Sequence, residues 1–243
     1  YALLPYLYTA LYAAHAEGGA VLRPVSYEFP DDRATWEISE QLMVGSALLV
    51  SPALHPGQQT VEAYFPQGTW VDLFHNSTVA SQGETLKLPT PLEAINVHVR
   101  AGSIVPMQEP GMTVGEVARS PVTLVVAHEG PARGPASSAS GLLFVDDGLS
   151  PVADDTSALV AFQSTRHEGG GSLSSSRKSG HAPALESLSL SSARVFGVLQ
   201  PSAVTLNGRE LGPDAWTFHS ETHLLEVHHL GLALSEDLSL SWA

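Results

Sequence analysis

Residues 20–32 read AVLRPVSYEFPDD. From Val21 to Phe29 the stretch is mostly apolar, and it runs through Pro30 into two carboxylates, Asp31 and Asp32. It predicts a strand buried on both faces, as parallel strands under helices are. Upstream, Leu3, Leu4, Leu7, Tyr8 and Leu11 recur at helical spacing, and Gly18-Gly19 ends the run. Pro5 implies that this helix bends there or only begins there. Downstream, Thr35 is the expected N-cap of a helix reaching Val44, with Gly45 as its stop. Helix, buried strand, helix is the tail of a βα unit.

Beyond Gly45 the pattern turns to short strands. Ala47–Val50 is apolar. Val61–Phe65 and Thr69–Phe74 flank a Pro66-Gln67-Gly68 turn. Ile95, Val97 and Val99 alternate with Asn96, His98 and Arg100, which predicts a half-buried strand ended by Gly102. Spacing this short predicts a β-sandwich. A second all-β block starts near Ser120, where Val122–Ala127 and Leu142–Val145 are expected to pair. Residues 129–141 and 167–183, rich in Gly, Ser and Pro, are expected to be flexible insertions. Asn207-Gly208 after Val204–Leu206 signals a hairpin, and Leu238, Leu240 and Trp242 alternate in a final strand. The expected fold is mainly β. The tail of a (β/α)8 barrel, its last strand with flanking helices, occupies 1–45, a proximal β-sandwich 46–119 and a distal β-domain 120–243.

Composition narrows the function. Of 243 residues, 43% are hydrophobic, enough for a packed core. Net charge is −14, from 25 acidic and 11 basic residues, which disfavours nucleic acid and anionic membranes as partners. There is no cysteine, so disulfides, thiolate metal sites and cysteine nucleophiles are excluded. No apolar run approaches the roughly 20 residues needed to span a bilayer. The chain opens on Tyr1-Ala2-Leu3-Leu4, already inside an amphipathic pattern, and reads as a fragment. A sequon at Asn76-Ser77-Thr78 makes Asn76 a candidate glycan acceptor and hints at the secretory pathway, whether lysosomal, vacuolar or extracellular.

Candidate chemistry is sparse. Two carboxyls acting on one substrate stand about 5 Å apart, or about 6.5–9.5 Å, on opposite sides of it. Neighbours in an extended chain point to opposite faces. Asp31/Asp32, Asp146/Asp147 and Asp154/Asp155 therefore read as loop, turn and capping residues. His219…His223 and His228-His229 lie in a stretch that looks extended, and no HExxH occurs. No G-x-S-x-G elbow is present, and Gly169-Gly170-Gly171 is followed by Ser-Leu-Ser, not by a phosphate-loop ending. Trp70, Trp216 and Trp242 read as core. Arg23, inside an apolar stretch, must find an acid or a carbonyl. Composition and spacing give a scaffold without a catalytic constellation, a metal or a cofactor.

Longer strings add a resemblance. YALLPYLYTALYAAHAEG, VLRPVSYEFPDD, LMVGSALLVSPAL, VEAYFPQGTWVDLF, TPLEAINVHVRAGSIVPMQEPG and GLLFVDDG resemble, in order and spacing, the C-terminal part of α-glucosidases of glycoside hydrolase family 31. The likeness is to the branch of lysosomal acid α-glucosidase and sucrase-isomaltase, and it covers roughly residues 1–150. It implies that Val21–Phe29 is the eighth barrel strand. It also implies a carbohydrate substrate, no cofactor, and a nucleophile in a W-x-D-M-N-E stretch upstream. This chain has no W-x-D-M-N-E, so no catalytic residue is carried over. A carbohydrate-binding or structural β-module, or an inactive homologue, is the alternative expectation.

Overall fold

In a computed structural model, which describes residues 1–130, 134–153 and 155–243, the chain opens with helix α1, Leu4–Glu17. Pro5 lies in the first turn, where backbone N–H groups have no helical partner to lose. The expected strand Val21–Phe29 does not form. Leu22–Arg23 is a two-residue strand, β1, and Pro24 then leads into one helical turn, α2, Val25–Glu28. Pro24 accounts for the break, since it has no N–H to donate to a ladder. β1 pairs antiparallel with β2, Leu42–Val44. Within this chain Leu22–Arg23 is therefore the edge strand of the first sheet, much shorter than the strand expected.

The expected helix Thr35–Val44 is also replaced. Asp32, not Thr35, caps a 3-10 turn at Arg33–Thr35 by accepting from Ala34 N. The Thr35 hydroxyl donates back to the carbonyls of Phe29 and Asp32. Gly45 ends the segment at φ +57°, where a Cβ would run into the Tyr6 hydroxyl.

Next come β3 (Leu48–Ser51), β4 (Thr60–Phe65), β5 (Gly68–Asp72), β6 (Thr78–Ser81), β7 (Glu84–Pro89) and β8 (Asn96–Arg100). The first sheet has the order β1-β2-β3-β8-β5-β6, and β4 pairs with β7 in a separate ribbon. The Pro66–Gly68 turn thus hands the chain from one layer to the other instead of closing a hairpin. Met43, Leu49, Phe65 and Trp70 fill the space between sheet and ribbon. β8 lies between two cores and is buried on both faces, which corrects the half-buried expectation. Its polar side chains are accommodated inside. Asn96 donates to Pro89 O at 3.0 Å, and the His98 ring meets Phe65 edge-on at 4.8 Å.

The second sheet holds twelve strands among the described residues. They are β9 (Ser103–Gln108), β10 (Val122–Ala127), β11 (Ser137–Asp146), β12 (Ser157–His167), β13 (Gly170–Gly180), β14 (Ser189–Phe196), β15 (Val204–Leu206), β16 (Arg209–Glu210), β17 (Trp216–His219), β18 (Leu224–Val227), β19 (Leu232–Ala233) and β20 (Ser239–Trp242). The order is β16-β15-β20-β13-β12-β11-β9-β10-β14-β18-β17, with β19 beside β14. The expected pairing of Val122–Ala127 with Leu142–Val145 is wrong, because β9 separates β10 from β11.

The expected flexible insertions are also corrected where they are described. Residues 137–141 open β11, and Gly170–Gly180 is a strand held between β12 and β20. Residues 131–133 lie outside the described residues. The hairpin at Asn207-Gly208 forms, with both residues at positive φ.

One face of this sheet curls over a core that includes Leu143, Phe162, Leu173, Leu225 and Trp242. The other face meets the first sheet in a shared core. Leu48, Val71 and Val99 come from one side, and Val105, Val125 and Phe196 from the other. Helix α1 lies along β11 and β9. Tyr12 stacks on Phe144 at 3.9 Å, and the Thr9 hydroxyl accepts from Phe144 N. Among the described residues no helix is long and apolar enough to cross a membrane.

Candidate functional site

The segment from Arg23 to Trp36 carries the acids that the sequence singled out, and its turns dictate what they can do. Arg23 bonds the Glu28 carboxylate across α2. The other Glu28 oxygen is 3.7 Å from Arg100 Nη1, and the Arg100 guanidinium lies over the Phe29 ring at 4.3 Å. One carboxylate thus bridges two arginines from different strands. Arg23 has the acid partner that its position demands, and it also donates to Ala20 O.

Asp32 spends both oxygens. One caps the 3-10 turn, and the other accepts from Tyr64 Oη at 2.7 Å. Burial, and then that carboxylate, push the Tyr64 phenol up to about 12. Asp31 is exposed. Trp36, 60% exposed, donates its indole N–H to Pro30 O and lies beneath Arg33. Asp32 is thus capped and bonded, and Asp31 stands beside it as an exposed rim.

The other expected residues scatter. Asp146 accepts from Tyr8 Oη at 2.6 Å and from Gly148 N, tying α1 to the β11–β12 turn. That bond pushes Tyr8 up to about 12. Asp147 accepts from Leu149 and Ser150, bonds that pull its carboxyl down to about 2. Asp155 is exposed, and Asp154 lies outside the described residues. His219 bonds Glu226 across the β17–β18 hairpin, and His223 occupies its turn at φ +51°. His228 and His229 have ring centroids 6.3 Å apart. Among the described residues no three His, Asp or Glu gather into a metal-holding group.

Trp70 and Trp242 are buried, and Trp216 packs half-buried against the larger core. Asn76 is half-buried at φ +59°, and its amide oxygen accepts from Arg194 of β14.

Beside this rim lies a cleft of about 440 Å³ that no sequence motif announced. Three parts of the chain form it. Tyr6, Thr9, Ala10 and Ala13 of α1 make one wall. Arg23 and Gly45–Ala47 make a second, pinned by Tyr6, whose hydroxyl donates to Val44 O and accepts from Ala47 N. The floor is the open face of the large sheet, at Ser103, Ser140, Leu142, Ala161 and Gln163, with Lys178 at the side. Register puts Ser103 opposite Ser140, Ser140 opposite Gln163, and Leu142 opposite Ala161. These residues are brought together by strand order alone, which is why spacing along the chain gave no hint of them.

With this geometry in place, comparison with known proteins is informative. Residues 18–105 match the family described as "Glycosyl hydrolase family 31 C-terminal domain". The chain is 35% identical over 264 residues to lysosomal alpha-glucosidase of Mus musculus, covering 100% of this chain and 26% of that protein. It is 37% identical over 253 residues to an alpha-glucosidase of Aspergillus niger, covering 100% of this chain and 24% of that protein. The chain thus spans about a quarter of the length of these relatives.

Among solved structures, a dextranase of Flavobacterium johnsoniae complexed with glucose superposes with a TM-score of 0.80 at 22% identity, over 100% of this chain and 31% of that one. Glucosidase II alpha subunit in its DNJ-bound form gives 0.78 at 21% identity, over 100% and 28%. These two likenesses show a shared, mostly β fold.

Proposed function

Residues 18–105 belong to the glycosyl hydrolase family 31 C-terminal domain family, and on that premise we propose that the chain is the C-terminal portion of a retaining α-glucosidase. The parent hydrolyses terminal α-linked glucose from oligo- or polysaccharides, and its catalytic carboxylates lie on segments outside this chain. The observation that carries this reading is the end-to-end similarity, at 35% and 37% identity, to two α-glucosidases of which the chain is about a quarter. The bonding of Asp32 and Glu28 agrees with it, since these carboxylates are occupied as structural partners.

In this reading residues 1–45 lead out of a (β/α)8 barrel, 46–119 form a proximal β-domain and 120–243 a distal one. Strand β9 is the proximal domain's contribution to the large sheet. The β-regions brace the barrel, and the sequon at Asn76 suits a parent made in the secretory pathway. The chemistry is a double displacement through a glycosyl–carboxylate intermediate, carried out on the parent's barrel. By itself the chain is inactive.

The test is an activity assay on two proteins, the parent polypeptide ending in this chain and the 243-residue chain alone. Maltose or an aryl α-glucoside should be hydrolysed by the parent, with the α-anomer released first, and left intact by the chain. A parent without a W-x-D-M-N-E stretch, or without turnover, would overturn the reading.

A further inference from the structure

The cleft floor reverses the usual logic of an exposed β-face on an acidic protein. Its side chains are uncharged, a polar row beside a short apolar strip. Ser103, Ser140 and Gln163 form one register row across β9, β11 and β12, separated by the roughly 4.8 Å spacing of strands. Ser140 and Gln163 are exposed and Ser103 is half-buried, and with no hydrogen-bond partner among the described residues their side chains are free to meet a ligand. Hydroxyl and carboxamide groups each donate and accept. Beside this row, Leu142 and Ala161 face one another and give the floor an apolar strip.

Charge at the cleft is small. Arg23 is neutralised by Glu28, which leaves the Lys178 ammonium as the one cation of the lining without an ion-pair partner among the described residues. The volume of about 440 Å³ falls in the range of about 300–1,000 Å³ of small-ligand sites.

We propose that this cleft binds a short neutral oligosaccharide. A sugar ring presents hydroxyls at its edge, which both donate and accept, and C–H groups on its face. The polar row matches the edge and the Leu142–Ala161 strip matches the face. An anionic ligand would need more than one unpaired cation, and a fully apolar ligand would strand the row. The proposal takes from the preceding reading only the choice of α-linked glucose as the sugar.

The experiment is calorimetric titration of the 243-residue chain with maltotetraose, repeated with inorganic phosphate. Saturable binding of the sugar and none of phosphate is expected. The double variant Ser140→Ala/Gln163→Ala should weaken that binding at least tenfold with an unchanged melting temperature, because both side chains are exposed. Ser241→Ala, on β20 and outside the cleft, should bind as the unaltered chain does. A flat sugar titration, phosphate binding in its place, or sugar binding unchanged in the double variant would each overturn the site. A parent that turns over maltose beside a chain with a flat titration removes this proposal alone. A chain that binds maltotetraose beside an inert parent removes the preceding reading alone.

Discussion

One row of the large sheet crosses eight strands and changes character halfway. On β18, β14 and β10 it reads Leu224, Phe196 and Ala127, all buried in the core shared with the first sheet. On β9, β11, β12, β13 and β20 it reads Ser103, Ser140, Gln163, Ser174 and Ser239. From Ser140 onward every member is exposed. Backbone hydrogen bonding continues through both halves, so the sheet does not require the change. What differs is the covering layer. Where the first sheet lies on top, the row is apolar and contributes burial energy. Where no second sheet lies on top among the described residues, it is polar and uncharged, four serines and a glutamine.

The seam between the halves is polar, with His128, Ser164 and Arg166 buried in it. His128, the residue after β10, bonds Ser164 of β12 at 3.0 Å. Glu129 reaches across to the first sheet, where its carboxylate accepts from both Thr69 N and Thr69 Oγ1 at 3.0 Å. Arg166 donates to Glu129 O and Pro135 O. Asn76 and Arg194 form a second clasp between the sheets.

Four measurements can break or sharpen this contrast. The largest effect belongs to the covered half. Phe196→Ala should cost about 3–5 kcal/mol in denaturant unfolding, because it empties a site that is 1% exposed. A loss below about 1 kcal/mol would mean that the shared core does not hold the sheets together.

Next comes the seam. Burial, and then the charge of Arg166, pull His128 down from 6.5 to about 4. Between those values the unfolded chain takes up a proton that the native chain refuses. The stability this group provides is therefore complete above pH 6.5 and falls as pH drops toward 4. Unfolding free energy should decline on the order of 2 kcal/mol across that window, and His128→Gln should flatten the decline. An equally steep pH profile in the variant would assign it to other groups.

A smaller loss, about 1 kcal/mol, is expected for Glu129→Ala, which leaves Thr69 N without its acceptor. A thermal melt reads it. Smallest of all is Ser174→Val on the bare half. Its stability should move by no more than about 0.5 kcal/mol, and a clear stabilisation would reveal a covering layer over that half.

The same contrast explains what was legible in the sequence. Patterns that depend on the strand itself were read correctly, as at Leu240 and Trp242 or at the Asn207-Gly208 turn. Patterns that depend on a neighbour were not. Gly170–Gly180 has one large apolar residue, Leu173, and looked like a linker. It is a strand because β12 and β20 flank it with matching backbone groups. Residues 35–44 place Ile38 and Leu42 at helical spacing, yet their conformation is set by pairing with β1 and β3 and by Gln41. That side chain accepts from Tyr64 N and donates to Tyr64 O and Ser51 Oγ. Such a bond joins residues 23 apart and leaves no local trace. At the acid segment, Arg23's need for a partner was readable, whereas Arg100 and Tyr64 come from distant strands. Trp36, close to Asp31 and Asp32 in the chain, is the local signal of this rim, an exposed aromatic next to acids.

Strand β9 has a consequence for how such a chain is inherited. It follows β8 after a two-residue turn, yet its ladder partners are β10 and β11. A recombination event joining new sequence at residue 120 would carry away the strand that links those two and leave two raw edges. The β-regions are therefore heritable as one piece.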